Sequence, residues 1–150
     1  MATSIVVDAS VASAWSFAEP FSTPAQSVLN AIEAHRITPL APDRFAEEFL
    51  RVCQKKTHPP PDGAGLAPDD AWESFLDVVT SPIVLLHGGD YHEQAWKLAL
   101  EAKLTTHDAL YLAVAERWAA ELWTADDQLA TRGSLTGITV RHLRDHPFPY

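Results

Sequence analysis

The strongest constraint on the fold is a regular alternation of short apolar runs with longer stretches of helical periodicity. The apolar runs predict strands at 5–7, 38–40, 83–86, 122–124 and 137–143. The periodic stretches predict helices over 10–15, 23–35, 43–56, 69–79, 91–101, 106–118 and 126–131. Such alternation predicts an α/β fold with a parallel central sheet and helices on both faces. In folds of this kind the ligand crevice lies outside the carboxyl ends of the strands.

The chain is predicted to form one domain over residues 1–150. That length is common for a single hydrophobic core. The stretch THPPPDGAGLAP at 57–68 is rich in Pro and Gly and is predicted to be a long surface loop between helices. Neither side of it is large enough to fold well alone. Pro24 is predicted at the first position of its helix.

Composition and motif content exclude several classes of protein. The 47% hydrophobic and 21% charged residues are typical of a globular protein. We expect a cytoplasmic protein, since we find neither an apolar stretch of about 20 residues nor a signal-like leader. Cys53 stands alone, which rules out an internal disulfide and a Cys-rich zinc site. His87, His92, His142 and His146 make no HxH or HExxH spacing.

The formal net charge of −9 argues mildly against a protein that only holds nucleic acid, because phosphate binding usually needs a basic surface. The objection weakens if several of the 20 acidic residues converge on a divalent cation, which would reverse the local field. An acidic surface also serves solubility alone. The placement of the acids therefore matters more than their number.

Two acids follow strands that are predicted to end at the same edge of the sheet. Asp8 follows the strand in IVVDASV, and Asp126 follows the strand LWT. A carboxylate buried there loses water and needs a replacement partner. For Asp8, three roles remain open: a cap on the next helix, a pair with a basic side chain, or a ligand of a cation. Asp127 should point elsewhere, and capping the next turn is an ordinary role for either Asp126 or Asp127.

Two further acids lie on helices. Asp108 is in the first turn of a helix that is apolar on all sides. The helix dipole stabilises a carboxylate there by about 0.3–1 kcal/mol, whereas burying the charge costs several kcal/mol, so a buried Asp108 needs a further partner. Glu48 lies at the margin of an apolar seam, whereas Glu47 projects to the solvent. Each acid alone has a structural explanation. Together, four converging carboxylates make physical sense chiefly around Mg²⁺ or Mn²⁺.

Four motifs carry a resemblance to a known family. IVVDASVASAW, LAPDRFAEEFL, TTHDALYLAVAERW and LWTADDQLA occur in this order. Together they resemble PIN-domain proteins of the VapC toxin type over nearly the whole chain. The most specific piece is DALYLAVAE followed by TAD. Arg51 stands where the family usually has Asn, three residues after its Glu, and the 57–68 loop is longer than common.

The resemblance implies a fold and a set of site residues. The fold would be a three-layer α/β/α sandwich with a short, mainly parallel sheet. The family's acidic quartet, both catalytic and metal-binding, falls on Asp8, Glu48, Asp108 and Asp126. Ser10 and Thr124 fall where the family has small hydroxyl residues that support the metal or its waters, although Ser10 has an alternative role as a helix cap.

The function implied is Mg²⁺-dependent endoribonuclease activity, with Mn²⁺ as a second possible ion. Many members form homodimers and are held inactive by a cognate antitoxin protein. Arg51, Lys55 and Lys56 follow Glu48 and are candidate contacts to the RNA backbone, with solvated helix surface as the alternative. A second hypothesis is an inactive PIN-like binding module that acts through protein complexes, supported by Arg51 and the acidic composition.

Overall fold

The computed structural model describes residues 2–61, 63–145 and 147–150. Asp62, in the predicted 57–68 loop, and His146, one of the histidines considered above, lie outside them. The strands are β1 (Thr3–Val7), β2 (Ile37–Pro42), β3 (Val84–Leu86), β4 (Glu121–Thr124) and β5 (Val140–His142). They form one sheet in the order β3-β2-β1-β4-β5, and all four pairings are parallel. The predicted α/β class is confirmed.

The helices agree with the predicted ones to within two residues at each end. They are α1 (Ala9–Ser16), α2 (Ser22–Glu33), α3 (Arg44–Lys56), α4 (Pro68–Val79), α5 (His92–Ala102), α6 (Thr106–Arg117) and α7 (Asp127–Gly133). The position of Pro24 was wrong, because α2 begins at Ser22 and Pro24 is its third residue. Proline is tolerated there because the first N–H groups of a helix have no partner within it.

The last strand is shorter than predicted. Gly137 has a φ of 81°, a conformation that glycine adopts without strain, and it turns the chain before the strand. Pairing with β4 therefore begins only at Val140, which faces Leu122. The apolar pattern of residues 137–143 continued across this turn and did not reveal it.

Helices cover both faces of the sheet. Ile5, Val6 and Val7 of the central strand are all fully buried, as expected when both faces are covered. On one side α6 packs against α5 and lies on β1, β2 and β4, while α1, α2 and α3 form a second group that also reaches the sheet. The result is the three-layer sandwich that the resemblance implied. No helix in the described part of the chain is long and apolar enough to cross a membrane.

The strand order creates a crevice between the carboxyl ends of β1 and β4. The chain runs from β1 outward through β2 to β3 and then returns to β4 on the other side of β1. Crossover connections on either side of this point leave the two strand ends open between them. Val7, the last residue of β1, pairs in register with Trp123 of β4. Asp8 and Asp126 therefore follow neighbouring strands.

Candidate active site

Asp8 is a buried helix cap at the end of β1. It is 6% exposed, and its Oδ1 accepts hydrogen bonds from the N–H of Ser10 at 3.1 Å and of Val11 at 3.3 Å. No basic side chain among the described residues pairs with it. Burial raises its pKa to about 6, against the opposing effect of its hydrogen bonds, and the charge of Asp126 adds to the rise. The capping role is therefore present, and the pairing role is not.

Ser10 and Thr124 hold the Asp8 carboxylate from two sides. Ser10 Oγ donates to Oδ1, and Thr124 Oγ1 donates to Oδ2 at 2.6 Å. Each hydroxyl oxygen also accepts a backbone N–H, from Ala125 at 2.8 Å and from Asp126 at 2.9 Å respectively. Neither hydroxyl is free to turn away. The two side chains thus fix Asp8 and tie the end of β1 to the end of β4, and it is Asp8, not Ser10, that caps α1.

Asp126 and Asp127 point to different partners, as predicted. Asp126 caps α7 by accepting the N–H of Leu129 at 2.9 Å, and it is exposed. Asp127 instead lies 2.8 Å from Arg144 Nη1 and 3.2 Å from His142 Nε2. The only protein donor to the Asp126 carboxylate among the described residues is this N–H. Its remaining lone pairs face the crevice or the solvent.

Glu48 is held by two side chains, its i,i+4 neighbour Arg44, which the helix spacing predicts as a surface pair, and Tyr111, which the sequence did not connect to it. The buried Tyr111 of α6 donates its hydroxyl to Glu48 Oε2 at 2.9 Å, and Arg44 Nε lies 3.6 Å from Oε1. Burial raises the pKa of Glu48 to about 7, opposed by the Tyr111 hydrogen bond and by Arg44, while the charges of Asp8 and Asp108 add to the rise. The signal for Tyr111 was a hydroxyl three residues after Asp108, in a helix buried on all sides, where it needs a partner.

Asp108 is half-buried in the first turn of α6. Its own N–H donates to Thr105 Oγ1 at 3.2 Å, so Thr105 caps this helix. Burial raises the pKa of Asp108, and the charge of Asp126 raises it further. As with Asp8, the salt bridges of the described residues include none to Asp108.

The four predicted acids therefore act on one another. We call Asp8, Glu48, Asp108 and Asp126 the acidic cluster. The negative charge of Asp126 raises the pKa values of Asp8 and Asp108, and the charges of Asp8 and Asp108 raise the pKa of Glu48. Within the described residues Arg44 is the one basic side chain in a salt bridge with any of them. Repulsion of this kind is costly unless a cation compensates it.

The three predicted basic contacts are not equivalent. Arg51 and Lys55 are exposed, and neither takes part in a salt bridge with another described residue. Lys56 instead lies 3.6 Å from Glu19 Oε2 and 5.3 Å from the centre of the Phe17 ring. Its charge is therefore already engaged by a neighbouring segment.

The acidic cluster fits a hard divalent cation in charge and in donor chemistry. Every side chain offers carboxylate oxygen, the donor that Mg²⁺ and Mn²⁺ prefer. Burial raises the pKa values of Asp8, Glu48 and Asp108, and the charges of neighbouring carboxylates add to each rise. Among the described residues, however, no three His, Cys, Asp or Glu side chains are already closed around one point.

Comparison with known proteins identifies the family. The family model for the PIN domain matches residues 5–134. The chain belongs to the PIN domain family. PIN domains are generally nucleases and typically use a divalent metal, so membership supports a nuclease. No curated protein matches the sequence.

Solved structures have the same fold. PAE2754 from Pyrobaculum aerophilum is 22% identical, with a TM-score of 0.65, and the match covers 96% of this chain and 93% of that one. VapC20 from Mycobacterium tuberculosis, described as a sarcin-ricin loop cleaving toxin, is 15% identical, also with a TM-score of 0.65, over 86% of this chain and 95% of its own. At these identities the likeness establishes the PIN fold for this chain.

Proposed function

We propose that this PIN domain is a metal-dependent endoribonuclease that hydrolyses RNA phosphodiester bonds at the acidic cluster, with Mg²⁺ as the ion and Mn²⁺ as its substitute. The observation that carries the proposal is the gathering of four carboxylates at the crevice, where Arg44 is the one basic side chain of the described residues in a salt bridge with any of them. Burial of uncompensated acids is expensive, and such acids cluster at functional sites. Asp8, Glu48, Asp108 and Asp126 are therefore the proposed metal-binding and catalytic residues.

The side chains of the cluster have separate tasks in this proposal. When bound, a divalent cation supplies positive charge to a phosphate oxygen and lowers the pKa of water. Asp8 contributes a carboxylate that Ser10 and Thr124 hold in one orientation. Glu48 contributes a further carboxylate, and burial raises its pKa to about 7 when no cation is bound. Tyr111 donates to Glu48 Oε2 and Arg44 lies 3.6 Å from Oε1, so neighbouring side chains orient both carboxylate oxygens.

We also propose that the protein is the toxin of a toxin–antitoxin pair in the cytoplasm and forms a homodimer. Support comes from the motifs of the VapC type and from the fold shared with VapC20, a toxin described as cleaving the sarcin-ricin loop. RNA is the proposed substrate. Arg51 and Lys55 remain proposed contacts to its backbone, whereas the pairing of Lys56 with Glu19 makes Lys56 the weakest of the three.

RNA cleavage with and without Mg²⁺ tests the ribonuclease proposal. Wild type should cleave a structured or an unstructured RNA only when Mg²⁺ is present, and Asp8→Asn and Asp108→Asn should each lose activity on the order of 10³-fold. Glu47→Gln is the matched control, because Glu47 is exposed beside Glu48 on the same helix. Equal cleavage by wild type and both Asn variants would refute the proposal.

A binding module without catalysis is the second candidate. It is favoured by the absence, among the described residues, of three acids closed around one point. A ligand that prefers the folded state raises its stability. If Mg²⁺ raises the melting temperature of wild type and not of Asp8→Asn, the binding module is excluded. If Mg²⁺ affects neither protein, the binding module is the better account.

A further inference from the structure

A groove beside the acidic cluster is lined mainly by basic, aromatic and apolar side chains. Its volume is about 460 Å³, within the usual range for ligand sites. The lining residues are Arg44, His92, Ala95, Trp96, Thr106, His107 and Leu110. None of them is acidic, although the chain has 20 acidic residues. The groove therefore offers hydrogen-bond donors and an aromatic ring to a ligand, without a carboxylate to repel an anion.

The groove adjoins the cluster from two helices. Arg44 on α3 is the residue that pairs with Glu48, and its Nε is buried without a hydrogen-bond partner among the described residues. His107 on α6 directly precedes Asp108. A strand whose phosphate lies at the cluster would pass these two side chains on leaving it. Both can donate hydrogen bonds to phosphate oxygens.

The groove continues into a second cavity of about 490 Å³, and the two share Arg44, His92 and Leu110. The second cavity adds His87, so three of the seven histidines of the chain line the pair. It also includes Asp43 and Glu47, two acids that the first groove lacks. A phosphate is therefore better accommodated in the first groove.

Trp96 supplies the groove with a large exposed ring. The side chain is 59% exposed, and within the described residues it makes no hydrogen bond and pairs with no other aromatic ring. Sites for single-stranded nucleic acid often combine an exposed aromatic ring with nearby hydrogen-bond donors. A base stacks on the ring, and the donors bind the phosphates of the backbone. A base in a duplex is already stacked and cannot take this place.

We infer that this groove binds a nucleotide adjacent to the scissile phosphate of a single-stranded RNA, with Trp96 stacking on the base and Arg44, His92 and His107 facing the phosphate. The inference rests on the proposed ribonuclease function and adds a substrate subsite to it. Trp96 thus helps to select between unpaired and base-paired RNA. It favours unpaired RNA.

Binding of a labelled oligoadenylate of about ten nucleotides, a length typical of such sites, tests the inference. The Asp108→Asn background keeps the strand intact under the proposed mechanism, and fluorescence anisotropy measures Kd. Adding Trp96→Ala should weaken binding about tenfold, the size expected for one stacked base. Trp72→Ala is the matched control, because Trp72 is 52% exposed on α4 and lines neither cavity. It should change Kd by less than about twofold.

An abasic strand of the same length identifies the contact. The Trp96→Ala effect should vanish on it, because the phosphates remain and the bases do not. Equal Kd values with and without Trp96 would overturn the inference. So would a change of oligomeric state in Trp96→Ala with Kd unaltered, since Trp96 would then belong to a protein interface. Failure of the proposed function is a separate result: wild type would not cleave RNA in Mg²⁺.

Discussion

Asp126 and Asp127 are adjacent in the sequence and lie at the same edge of the sheet, yet their surroundings differ. Asp127 lies 2.8 Å from Arg144 Nη1 and 3.2 Å from the buried His142. Asp126 has a backbone N–H as its donor, and its charge raises the pKa values of Asp8 and Asp108. One carboxylate belongs to a compensated network, and the other belongs to a cluster of like charges.

This difference is the one expected between a structural acid and the acids that we propose as functional. The charge of a paired carboxylate such as Asp127 is compensated by side chains of the protein itself. The acidic cluster has Arg44 at 3.6 Å from Glu48 and no other salt bridge within the described residues. Folding brings the four acids together against their repulsion. That cost is understandable if the compensating charge comes from outside the chain, as a cation with the substrate.

Cleavage of RNA should give the largest contrast between these two regions. Asp8→Asn and Asp108→Asn should each lower kcat/KM on the order of 10³-fold, since losing a ligand of a catalytic cation removes several kcal/mol of transition-state stabilisation. Asp127→Asn should stay within a few-fold of wild type. Steady-state cleavage in Mg²⁺ measures both. If Asp127→Asn lowered kcat/KM as much as Asp8→Asn does, Asp127 could not be a purely structural acid.

Stability without a divalent cation should fall as the pH rises. The folded-state pKa values of Asp8 and Glu48 are about 6 and about 7, above their ordinary values of 3.8 and 4.5. The folded chain therefore binds more protons than the unfolded chain between about pH 4 and pH 7, and the free energy of unfolding decreases across that window. The Asp8 part is on the order of 3 kcal/mol, and Asn at this position should remove it.

Urea unfolding in chelator at several pH values measures this effect. Asn caps a helix as well as Asp does, so Asp8→Asn should keep the α1 cap and lose the Asp8 part of the pH dependence, while the Glu48 part remains. Asp127→Asn retains Asp8 and Glu48 and should keep the full decrease. A free energy of unfolding that rose from pH 4 to pH 7 in wild type would contradict the electrostatics of the cluster.

Mg²⁺ should reverse that loss of stability at neutral pH. At a concentration 100 times Kd, a ligand specific for the folded state adds about 2.7 kcal/mol to the free energy of unfolding. We expect a higher melting temperature in Mg²⁺ for wild type and for Asp127→Asn, and no change for Asp8→Asn. The rise should be larger at pH 8 than at pH 5, because the cation binds the ionised carboxylates. Stabilisation of all three proteins alike would place the ion elsewhere.

The sequence could predict most of the fold and part of the site. Alternating apolar runs located the strands and helices, and parallel topology then placed Asp8 and Asp126 at one edge. The strand order was not predictable from the alternation, because no local sequence pattern indicates that β4 lies beside β1. The pairing of Lys56 with Glu19 and the contact of Tyr111 with Glu48 join distant segments. Such contacts depend on how helices pack, which periodicity does not reveal.

Tyr111 should have the smallest effect of the variants at the cluster. Tyr111→Phe removes the hydrogen bond to Glu48 Oε2, and we expect kcat/KM to fall about tenfold, as for one hydrogen bond to a charged group. That bond lowers the pKa of Glu48, so without it this pKa should rise and the acidic limb of the pH–activity profile should move to higher pH.

A double-mutant cycle separates positioning of Glu48 from general damage. If Tyr111 acts through Glu48, adding Tyr111→Phe to Glu48→Gln should cost little more than Glu48→Gln alone. Additive losses, together with an unmoved pH profile, would mean that Tyr111 only supports the packing of α6.

The proposed function requires a divalent cation among the carboxylates of the acidic cluster, where Arg44 is the one salt-bridge partner within the described residues. A crystal soaked in Mn²⁺ and measured for anomalous scattering tests it most directly. We expect a strong anomalous peak within coordination distance of Asp8, Asp108 and Asp126, with Glu48 in contact directly or through water, and no peak at Asp127. A map with no peak at the cluster, under conditions where RNA is cleaved, would contradict it.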